Sequence, residues 1–545
     1  MNAADLFIRC LEAEGVEYIF AVPGEENLRM LEALRTSTIK LIVTRHEQAA
    51  AFMAATIGRL TGKAGVAMST LGPGALNFAT ALAYSQLGEM PLIIITGQKP
   101  IKHSKQGAFQ VIDAVSTFTP LTKWATQLVS GQRIPTTIRN AFKIAEEERP
   151  GAVHIEFPED IADEEVPSGT PIIPTKVRRP GPDEKAVNMA KTMIENSKKP
   201  LLIIAAGANR KLAGRRLTEF VEKTKIPFVT SQMGKGVIDE RSPYYLGTTA
   251  LSAQDYVHDA IIDADLIISV GHDTMEKPPA FLGDGQKNIL HINFFPAQFD
   301  SIYAPTLELI GDIAFSMWAL TETITPNTAW DLKKLMDHKL IIETALHNKD
   351  NNPEFPPKPQ RIVSDLRKAV PEDGIIALDN GMYKLWVSRN YPAFGHNTVL
   401  LDNALATMGA GLPSAIAAKM VNPEKKVVCI TGDGGFMMNS QELETAVRLG
   451  LDLTILLIND NAYGMIQWKQ KSAHFSSFGL DLGNPDFVKY AEAYGAHGYR
   501  ITKTEELVPL LEKCINTSGV HLIEVPIDYS ENVRVFTEEL SNRLT

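Results

Sequence analysis

The sequence predicts an α/β protein built from three doubly wound parallel sheets. Short apolar runs alternate with amphipathic helices along the whole chain, which is typical of parallel sheets flanked by helices. Several apolar runs end at glycine, as at Val22-Pro23-Gly24 and Ile95-Thr96-Gly97. Such junctions place loops at the carboxyl edge of a sheet, where ligands bind in open α/β folds.

Two proline-rich stretches divide the chain into three parts. Residues 162–186 contain five prolines, and residues 347–359 run HNKDNNPEFPPKP. This composition favours extended, solvated linkers over packed elements. We therefore expect domains at residues 1–165, 186–345 and 360–545, each of ordinary domain size.

Each part contains apolar runs of strand length. They are too short for membrane spans and lie between helical patterns, so parallel strands are the expected assignment. The expected strands are residues 18–22, 41–43, 65–68, 92–96 and 153–157, then 201–205, 227–230, 266–270 and 289–292, then 375–378, 427–431, 453–458 and 522–525.

Composition excludes several classes of protein. The 545 residues are 44% hydrophobic and 22% charged, which is ordinary for a globular protein, and the net charge of −10 argues against nucleic-acid binding. Three cysteines without CxxC spacing indicate neither a disulfide framework nor a zinc site. The first twenty residues carry four acidic residues and lack a signal peptide's pattern. We expect a cytoplasmic protein that does not bind membranes.

Two acidic residues follow neighbouring strands in the third part. Asp433 ends an apolar run within TGDGG, and Asp460 ends the next run within NDN, 460 − 433 = 27 residues later. A strand–helix–strand crossover of this length brings the two strand ends side by side. Carboxylate oxygens there suit Mg²⁺, which usually bridges to ligand phosphates, and the glycines allow backbone N–H groups to approach such phosphates.

A third acidic residue begins a helix in the first part. Glu47 follows the apolar run 41–43 and precedes AAAFMA, so its surroundings are predicted to be buried. An acid in the first turn of a helix is stabilised by the helix dipole alone. A buried carboxylate, however, needs a partner that accepts or shares its proton.

These motifs together resemble those of thiamine-diphosphate enzymes. GDG followed by an Asn-rich pair is similar to their diphosphate motif, and RHEQAAAFMA is similar to their glutamate motif. The resemblance implies that Asp433, Asp460 and the Ala462 carbonyl ligate Mg²⁺, and that Glu47 hydrogen-bonds the cofactor's aminopyrimidine. It also implies a site shared between two subunits, hence a homodimer or homotetramer.

The resemblance extends to further positions around the cofactor and substrate. It implies cofactor contacts by the residues of the GDGG loop and of two methionine segments, and a substrate channel lined by two polar residues. The cofactor contacts are Gly432, Gly434, Gly435, Met408, Gly409 and Met465, and the channel residues are Gln110 and Lys123. Lys123 and Arg45 are candidates to attract substrate carboxylates into this acidic protein.

Over essentially the whole chain, the resemblance is to the acetolactate synthase family, and most to its catabolic, FAD-independent branch. It implies decarboxylation of pyruvate and transfer of the two-carbon unit to a second pyruvate, giving 2-acetolactate. The central VGHD followed by Met275-Glu276 differs from the Arg-rich run of FAD-using relatives, so bound FAD is not favoured. The sequence leaves open whether a small regulatory subunit joins.

Three departures leave the acceptor open. Trp468 comes one position before the tryptophan of the biosynthetic branch, with Lys469 in its place. Glu25-Glu26 follow Pro23-Gly24, where family members often have small residues, and Phe109 stands where a polar residue often precedes Gln110. The alternatives are a pyruvate oxidase, a 2-ketoacid decarboxylase or an aldehyde carboligase. A non-catalytic subunit with the same fold is disfavoured because Glu47 and Asp433 are retained.

Overall fold

A computed structural model describes residues 1–102, 107–167, 169–175, 179–251, 255–276, 287–299 and 303–540. Three six-stranded sheets follow one another along the chain, and neighbouring strands within each sheet pair in parallel. Helices connect the strands. The predicted α/β class with three parallel sheets is confirmed, while the exact domain boundaries stay a prediction.

The first sheet has the strand order β2-β1-β3-β4-β6-β5. Its central strands are buried on both faces, as expected where helices cover a parallel sheet. The strands are β1 Tyr18–Ala21, β2 Lys40–Val43, β3 Gly65–Ser69, β4 Leu92–Gln98, β5 Trp124–Gln127 and β6 Ala152–Pro158. The helices are α1 Ala3–Glu14, α2 Leu28–Leu34, α3 Glu47–Thr61, α4 Pro73–Leu76, α5 Ala79–Leu87, α6 Ala114–Phe118, α7 Ile134–Glu146 and α8 Glu159–Ala162.

The central sheet has the order β12-β11-β10-β7-β8-β9. Apolar clusters fill both of its faces. The strands are β7 Pro200–Ile204, β8 Phe228–Ser231, β9 Tyr245–Thr249, β10 Leu266–Val270, β11 Asn288–Asn293 and β12 Leu307–Ile310. The helices are α9 Glu184–Asn196, α10 Lys211–Thr224, α11 Tyr256–Asp263, α12 Ile313–Thr323 and α13 Leu332–His347.

The third sheet has the order β14-β13-β15-β16-β18-β17. The strands are β13 Ile375–Leu378, β14 Val399–Leu400, β15 Val427–Gly432, β16 Leu453–Asn459, β17 His497–Arg500 and β18 Val520–Pro526. The helices are α14 Pro359–Ala369, α15 Met382–Asn390, α16 Gly411–Val421, α17 Asp433–Asn439, α18 Glu442–Arg448, α19 Gly464–Ser472, α20 Phe487–Ala493 and α21 Leu507–Asn516. A π-helical segment, Asn532–Glu539, follows them.

Five strands of the structure were not predicted from the sequence. They are β5, β9, β12, β14 and β17, and each lies at the edge of its sheet. Strand β17 (HGYR) and strand β5 (WATQ) contain no fully buried residue. An edge strand needs no continuous apolar run, so the pattern that identifies central strands is absent from it.

The chain forms two compact units. The first comprises Met1–Val177, Leu405–Asn422 and Asn439–Leu451, and the second comprises Arg178–Ala404, Pro423–Met438 and Asp452–Thr545. By these ranges, the second unit holds both the central and the third sheet. In the first unit α16 packs along α3, and the Thr56 hydroxyl donates to Ser414 Oγ at 3.0 Å.

A buried ion pair joins the central and third segments within the second unit. Both Arg389 on α15 and Asp255, the N-cap of α11, are less than 5% exposed. Arg389 Nε donates to Asp255 Oδ2 at 2.8 Å, and a terminal nitrogen donates to Oδ1 at 2.9 Å. Burial of two charged groups is unfavourable, and the two parallel hydrogen bonds of this pair offset that cost.

Removing one partner should therefore destabilise the second unit strongly. We expect Arg389→Met to lower the free energy of unfolding by about 3–5 kcal/mol, because it leaves Asp255 buried and unpaired. Lys333→Met, in the exposed Lys333–Asp337 pair, is the control and should leave stability nearly unchanged. Denaturant unfolding followed by tryptophan fluorescence measures both. Equal midpoints for the two variants would show that the buried pair is dispensable.

Candidate active site

Glu47 lies at the carboxyl edge of the first sheet. Strand β2 ends at Val43, the His46 side chain caps the following helix by accepting from the Gln48 N–H, and Glu47 is the first residue of α3. The Glu47 side chain is buried, with 8% of the residue exposed. The helix behind it is packed from Ala49 to Ala55 without an exposed residue, as its alanine-rich sequence predicted.

The carboxylate of Glu47 has a partner on a neighbouring loop. Asn77 Nδ2 donates to Glu47 Oε2 at 2.9 Å. A methyl group placed on Gly74, in helix α4, which Asn77 caps, would lie 3.1 Å from Glu47 Oε1. One carboxylate oxygen is thus fixed by an amide, and the glycine leaves the other without a crowding side chain. This arrangement suits a carboxylate that accepts or shares a proton with a ligand.

A second acid holds the backbone just before Glu47. Glu442 on α18 is fully buried, and its carboxylate accepts from the Arg45 N–H at 3.1 Å and from the Thr445 hydroxyl at 2.6 Å. Burial raises the pKa of Glu442 to about 7. Glu442 was not predicted from the sequence, because no local pattern connects it with Arg45, 397 residues away.

The two aspartates predicted to ligate a cation lie together in the second unit. Asp433 begins α17 directly after β15, and Asp460 follows β16; Gly432 pairs with Ile458 in the register of these two strands. The Asp433 carboxylate accepts from Asn484 Nδ2 at 2.6 Å. Asp460 Oδ2 is buried and has no hydrogen-bond partner in the described part of the chain.

The electrostatics of this pair fit a hard cation. Burial, together with the neighbouring Asp433 charge, raises the pKa of Asp460 to about 7, and burial also raises the pKa of Asp433. Two adjacent carboxylates without a cation repel each other, and a divalent ion with oxygen ligands would relieve both the repulsion and the unsatisfied oxygen. The donor set of the pair therefore fits Mg²⁺.

The glycines of the GDGG loop are required by close packing. A methyl group on Gly432 would lie 2.8 Å from the Tyr383 ring, and one on Gly435 would lie 2.7 Å from Asp379 Oδ2. One on Gly434 would lie 3.0 Å from the Tyr463 ring. The loop therefore has no room for larger residues.

The remaining residues expected to contact the cofactor are buried or half-buried. Ala462 is buried beside Asn461, whose φ is +53°, and Met465 is half-buried at the start of α19. In the first unit Met408 is half-buried, and the Gly409 carbonyl accepts from Asn439 Nδ2 at 2.8 Å. Asn439 also donates to Gln48 Oε1 at 3.0 Å, next to Glu47.

The two expected channel residues lie at opposite edges of the first sheet. Gln110 is exposed with φ +60°, and its carbonyl would lie 2.6 Å from a methyl group on Gly72, at the carboxyl edge. Lys123 precedes β5 at the amino edge, where its ammonium donates to the Glu147 carbonyl at 2.9 Å. Burial lowers the pKa of Lys123. Its position does not support the channel role expected of it.

The displaced tryptophan is a packing residue. Trp468 is buried, and its indole N–H donates to Thr537 Oγ1 at 3.0 Å in the π-helical segment. The Lys469 ammonium lies 4.2 Å above the Trp468 ring. Trp468 therefore anchors the C-terminal segment, and Lys469 beside it is exposed.

Comparison with known proteins assigns three segments of the chain to one family. Family models of thiamine pyrophosphate enzymes match residues 1–117 (N-terminal TPP binding domain), 187–320 (central domain) and 379–525 (C-terminal TPP binding domain). Among the described residues no helix is long and apolar enough to cross a bilayer.

Curated relatives are similar along nearly their whole length. The chain is 32% identical to an acetolactate synthase of Bacillus subtilis, covering 99% of this chain and 95% of that protein. It is 33% identical to the catabolic acetolactate synthase of Raoultella terrigena (97% and 96%) and 31% identical to the acetolactate synthase isozyme 2 large subunit of Escherichia coli (98% and 97%). The chain therefore belongs to the acetolactate synthase family of thiamine pyrophosphate enzymes.

Proposed function

We propose that the protein condenses two molecules of pyruvate to 2-acetolactate. One pyruvate loses CO₂, a bond forms between its carbonyl carbon and that of the second pyruvate, and a proton is taken up on the resulting alkoxide. The observation that carries this proposal is the retention of Glu47 and of the Asp433–Asp460 pair in a chain similar to acetolactate synthases over its full length.

The chain's own residues have distinct proposed roles. Thiamine diphosphate, when bound, supplies the electron sink for the pair released with CO₂. Glu47, fixed by Asn77, would hold a proton at the cofactor's ring nitrogen. Asp433, Asp460 and the Ala462 carbonyl would hold Mg²⁺, and the close-packed loop from Gly432 to Gly435 would face the diphosphate.

The flanking residues would complete the cofactor site. Met408, Gly409 and Met465 are its proposed apolar and backbone contacts. Gln110 would contact the substrate from the loop edge that also carries Asn77. FAD is no part of this proposal.

We further propose that the functional form is at least a homodimer, in which Glu47 of one copy and the aspartates of another serve one cofactor. Exposed apolar side chains lie beside each half. Leu76, next to Asn77, is 46% exposed, and Phe109 is 63% exposed. In the second unit Ile466 is 49% exposed and Phe478 is 85% exposed. A second copy would cover such groups. A small regulatory partner is proposed only from relatives named as large subunits.

Purified protein with thiamine diphosphate, Mg²⁺ and pyruvate tests the reaction, with and without added FAD. Acetolactate, detected as acetoin after acid treatment, without FAD is the expected product. Consumption of pyruvate without acetolactate would contradict the proposal and indicate an oxidase, a decarboxylase or an aldehyde carboligase.

Sedimentation of the loaded protein tests the dimer, and a monomer that is fully active would exclude the shared site.

Glu47→Gln should lower turnover by at least about 100-fold, because Gln cannot hold the proton that a positioned carboxylate exchanges. The variant keeps the size and the Asn77 contact, so its unfolding midpoint should match wild type. The exposed Glu17→Gln serves as control. Near-normal acetolactate formation by Glu47→Gln would contradict the role of Glu47.

Stabilisation by Mg²⁺ with thiamine diphosphate should be larger at pH 8 than at pH 6. Asp460 must lose a proton with a pKa of about 7 before it binds the cation, so binding improves as the pH rises through that value. Asp460→Asn retains an oxygen ligand without that proton and should flatten the pH dependence of the melting-temperature shift. Asp373→Asn, exposed at the opposite edge of the sheet, should behave as wild type. An unchanged pH dependence in Asp460→Asn would exclude this assignment.

Glu442 should make the protein less stable as the pH rises. Its folded pKa of about 7 lies above the ordinary value of 4.5, so the folded state retains a proton between these values and loses stability across that window. We expect Glu442→Gln to gain about 1–3 kcal/mol relative to wild type between pH 5 and pH 8. Chemical unfolding at both pH values measures this, with the exposed Glu512→Gln as control. A constant difference between Glu442→Gln and wild type would show that Glu442 is ionised throughout.

A further inference from the structure

A buried ion pair lies at the carboxyl edge of the first sheet. Glu26 follows β1, and Lys99 follows β4 directly. Lys99 Nζ lies 2.6 Å from Glu26 Oε1, and the two side chains are only 10% and 3% exposed. The charges are therefore matched within the fold, as buried charges must be.

This pair is connected to the loop beside Glu47. The second oxygen of Glu26 accepts from the Thr70 hydroxyl. A methyl group on Gly74 would lie 2.9 Å from Thr70 Cγ2 and 3.1 Å from Glu47 Oε1, so Thr70 and Glu47 flank the same glycine. One carboxylate oxygen of Glu26 is thus bound by Thr70 and the other by Lys99.

Lys99 also lines a cavity of about 570 Å³, whereas Glu26 does not. Two acidic residues line the same cavity, and the carboxylates of both accept hydrogen bonds from neighbouring residues. Glu156 accepts from Gln98 and Gln127, and Asp113 accepts from the backbone N–H and hydroxyl of Ser116. Among the described residues that line the cavity, Lys99 is the only cation.

We propose that Lys99, positioned by Glu26, is the residue that binds the carboxylate of the acceptor 2-ketoacid. This inference rests on the proposed function and deepens it. An ammonium group has three donors, and among the described residues Lys99 Nζ uses one of them, to Glu26. A carboxylate that enters the cavity can accept the others in charge-assisted bonds, while Thr70 keeps Glu26 in place.

This assignment replaces the two cations expected from the sequence. Lys123 lies at the amino edge of the sheet, and Arg45 is exposed with its backbone N–H held by Glu442. Lys99 lies at the carboxyl edge that also carries Glu47. The pair also explains why Glu26 is tolerated near an anionic substrate, since its charge is matched by Lys99 and its second oxygen by a hydroxyl.

Competition between two acceptors tests the proposal. The loaded enzyme is given pyruvate as donor together with benzaldehyde, and the ratio of acetolactate to the aromatic hydroxyketone is measured. Both products share the donor steps, so the ratio isolates recognition of the acceptor. We expect Lys99→Met to lower the ratio by about 10- to 100-fold, the loss of one charge-assisted contact, while the hydroxyketone still forms.

Two further variants control for indirect effects. Lys99→Met leaves Glu26 buried and unpaired, so the Glu26→Gln/Lys99→Met double variant provides a neutral pair and should show the same low ratio with wild-type stability. Lys102→Met removes a more exposed lysine of the same loop that pairs with Glu164 and should leave the ratio unchanged. A ratio within twofold of wild type in the folded double variant would overturn the proposal, as would an equal drop in Lys102→Met.

A binding measurement separates this proposal from the proposed reaction. Saturation-transfer NMR on the Glu47→Gln protein, loaded with thiamine diphosphate and Mg²⁺, compares pyruvate with its uncharged methyl ester. A preference for pyruvate that falls with Lys99→Met supports the carboxylate site even if wild type forms no acetolactate. Absence of that preference, or an unchanged preference without Lys99, refutes the site whatever the enzyme's product.

Discussion

Burial of carboxylates at the carboxyl edges of parallel strands is the constraint on which the site depends. A carboxylate taken out of water must receive hydrogen bonds or a counter-charge. Glu47 receives the Asn77 amide, Glu442 receives backbone N–H groups, and Asp433 receives Asn484. Asp460 retains an oxygen without a partner, so this half of the site is electrostatically incomplete without a cation.

Central strands and strand-end acids could be predicted because each is a local property of the sequence. A strand buried on both faces must be a continuous apolar run, and the residue after it must lie at the sheet edge. This logic located β15 and β16 and hence Asp433 and Asp460 as neighbours. It failed for the edge strands β5, β9, β12, β14 and β17, of which β5 and β17 contain no fully buried residue and β14 is only two residues long.

The hydrogen-bond partners of the predicted residues could not be predicted from the sequence for a different reason. Glu442 and Arg45 are 397 residues apart in the sequence, and Asn484 belongs to a stretch without periodicity. Lys123 shows a different case: a family motif predicts a channel role for it, and strand pairing places it at the amino edge of the first sheet. The direction in which a strand runs is decided by topology, and no single residue type reports it. Roles transferred by motif therefore need the sheet before they can be assigned to an edge.

The interleaving of the two compact units limits how this chain can be divided. A fragment ending at residue 165 would lose α16, whose Ser414 is bound by Thr56 of α3 and which covers the helix that begins at Glu47. A fragment beginning at residue 360 would expose Arg389 without Asp255. Neither would be expected to fold as an independent piece, although each contains a complete parallel sheet. The three sheets are therefore repeated in architecture but not modular, and recombination or truncation at the linkers would separate residues that depend on one another.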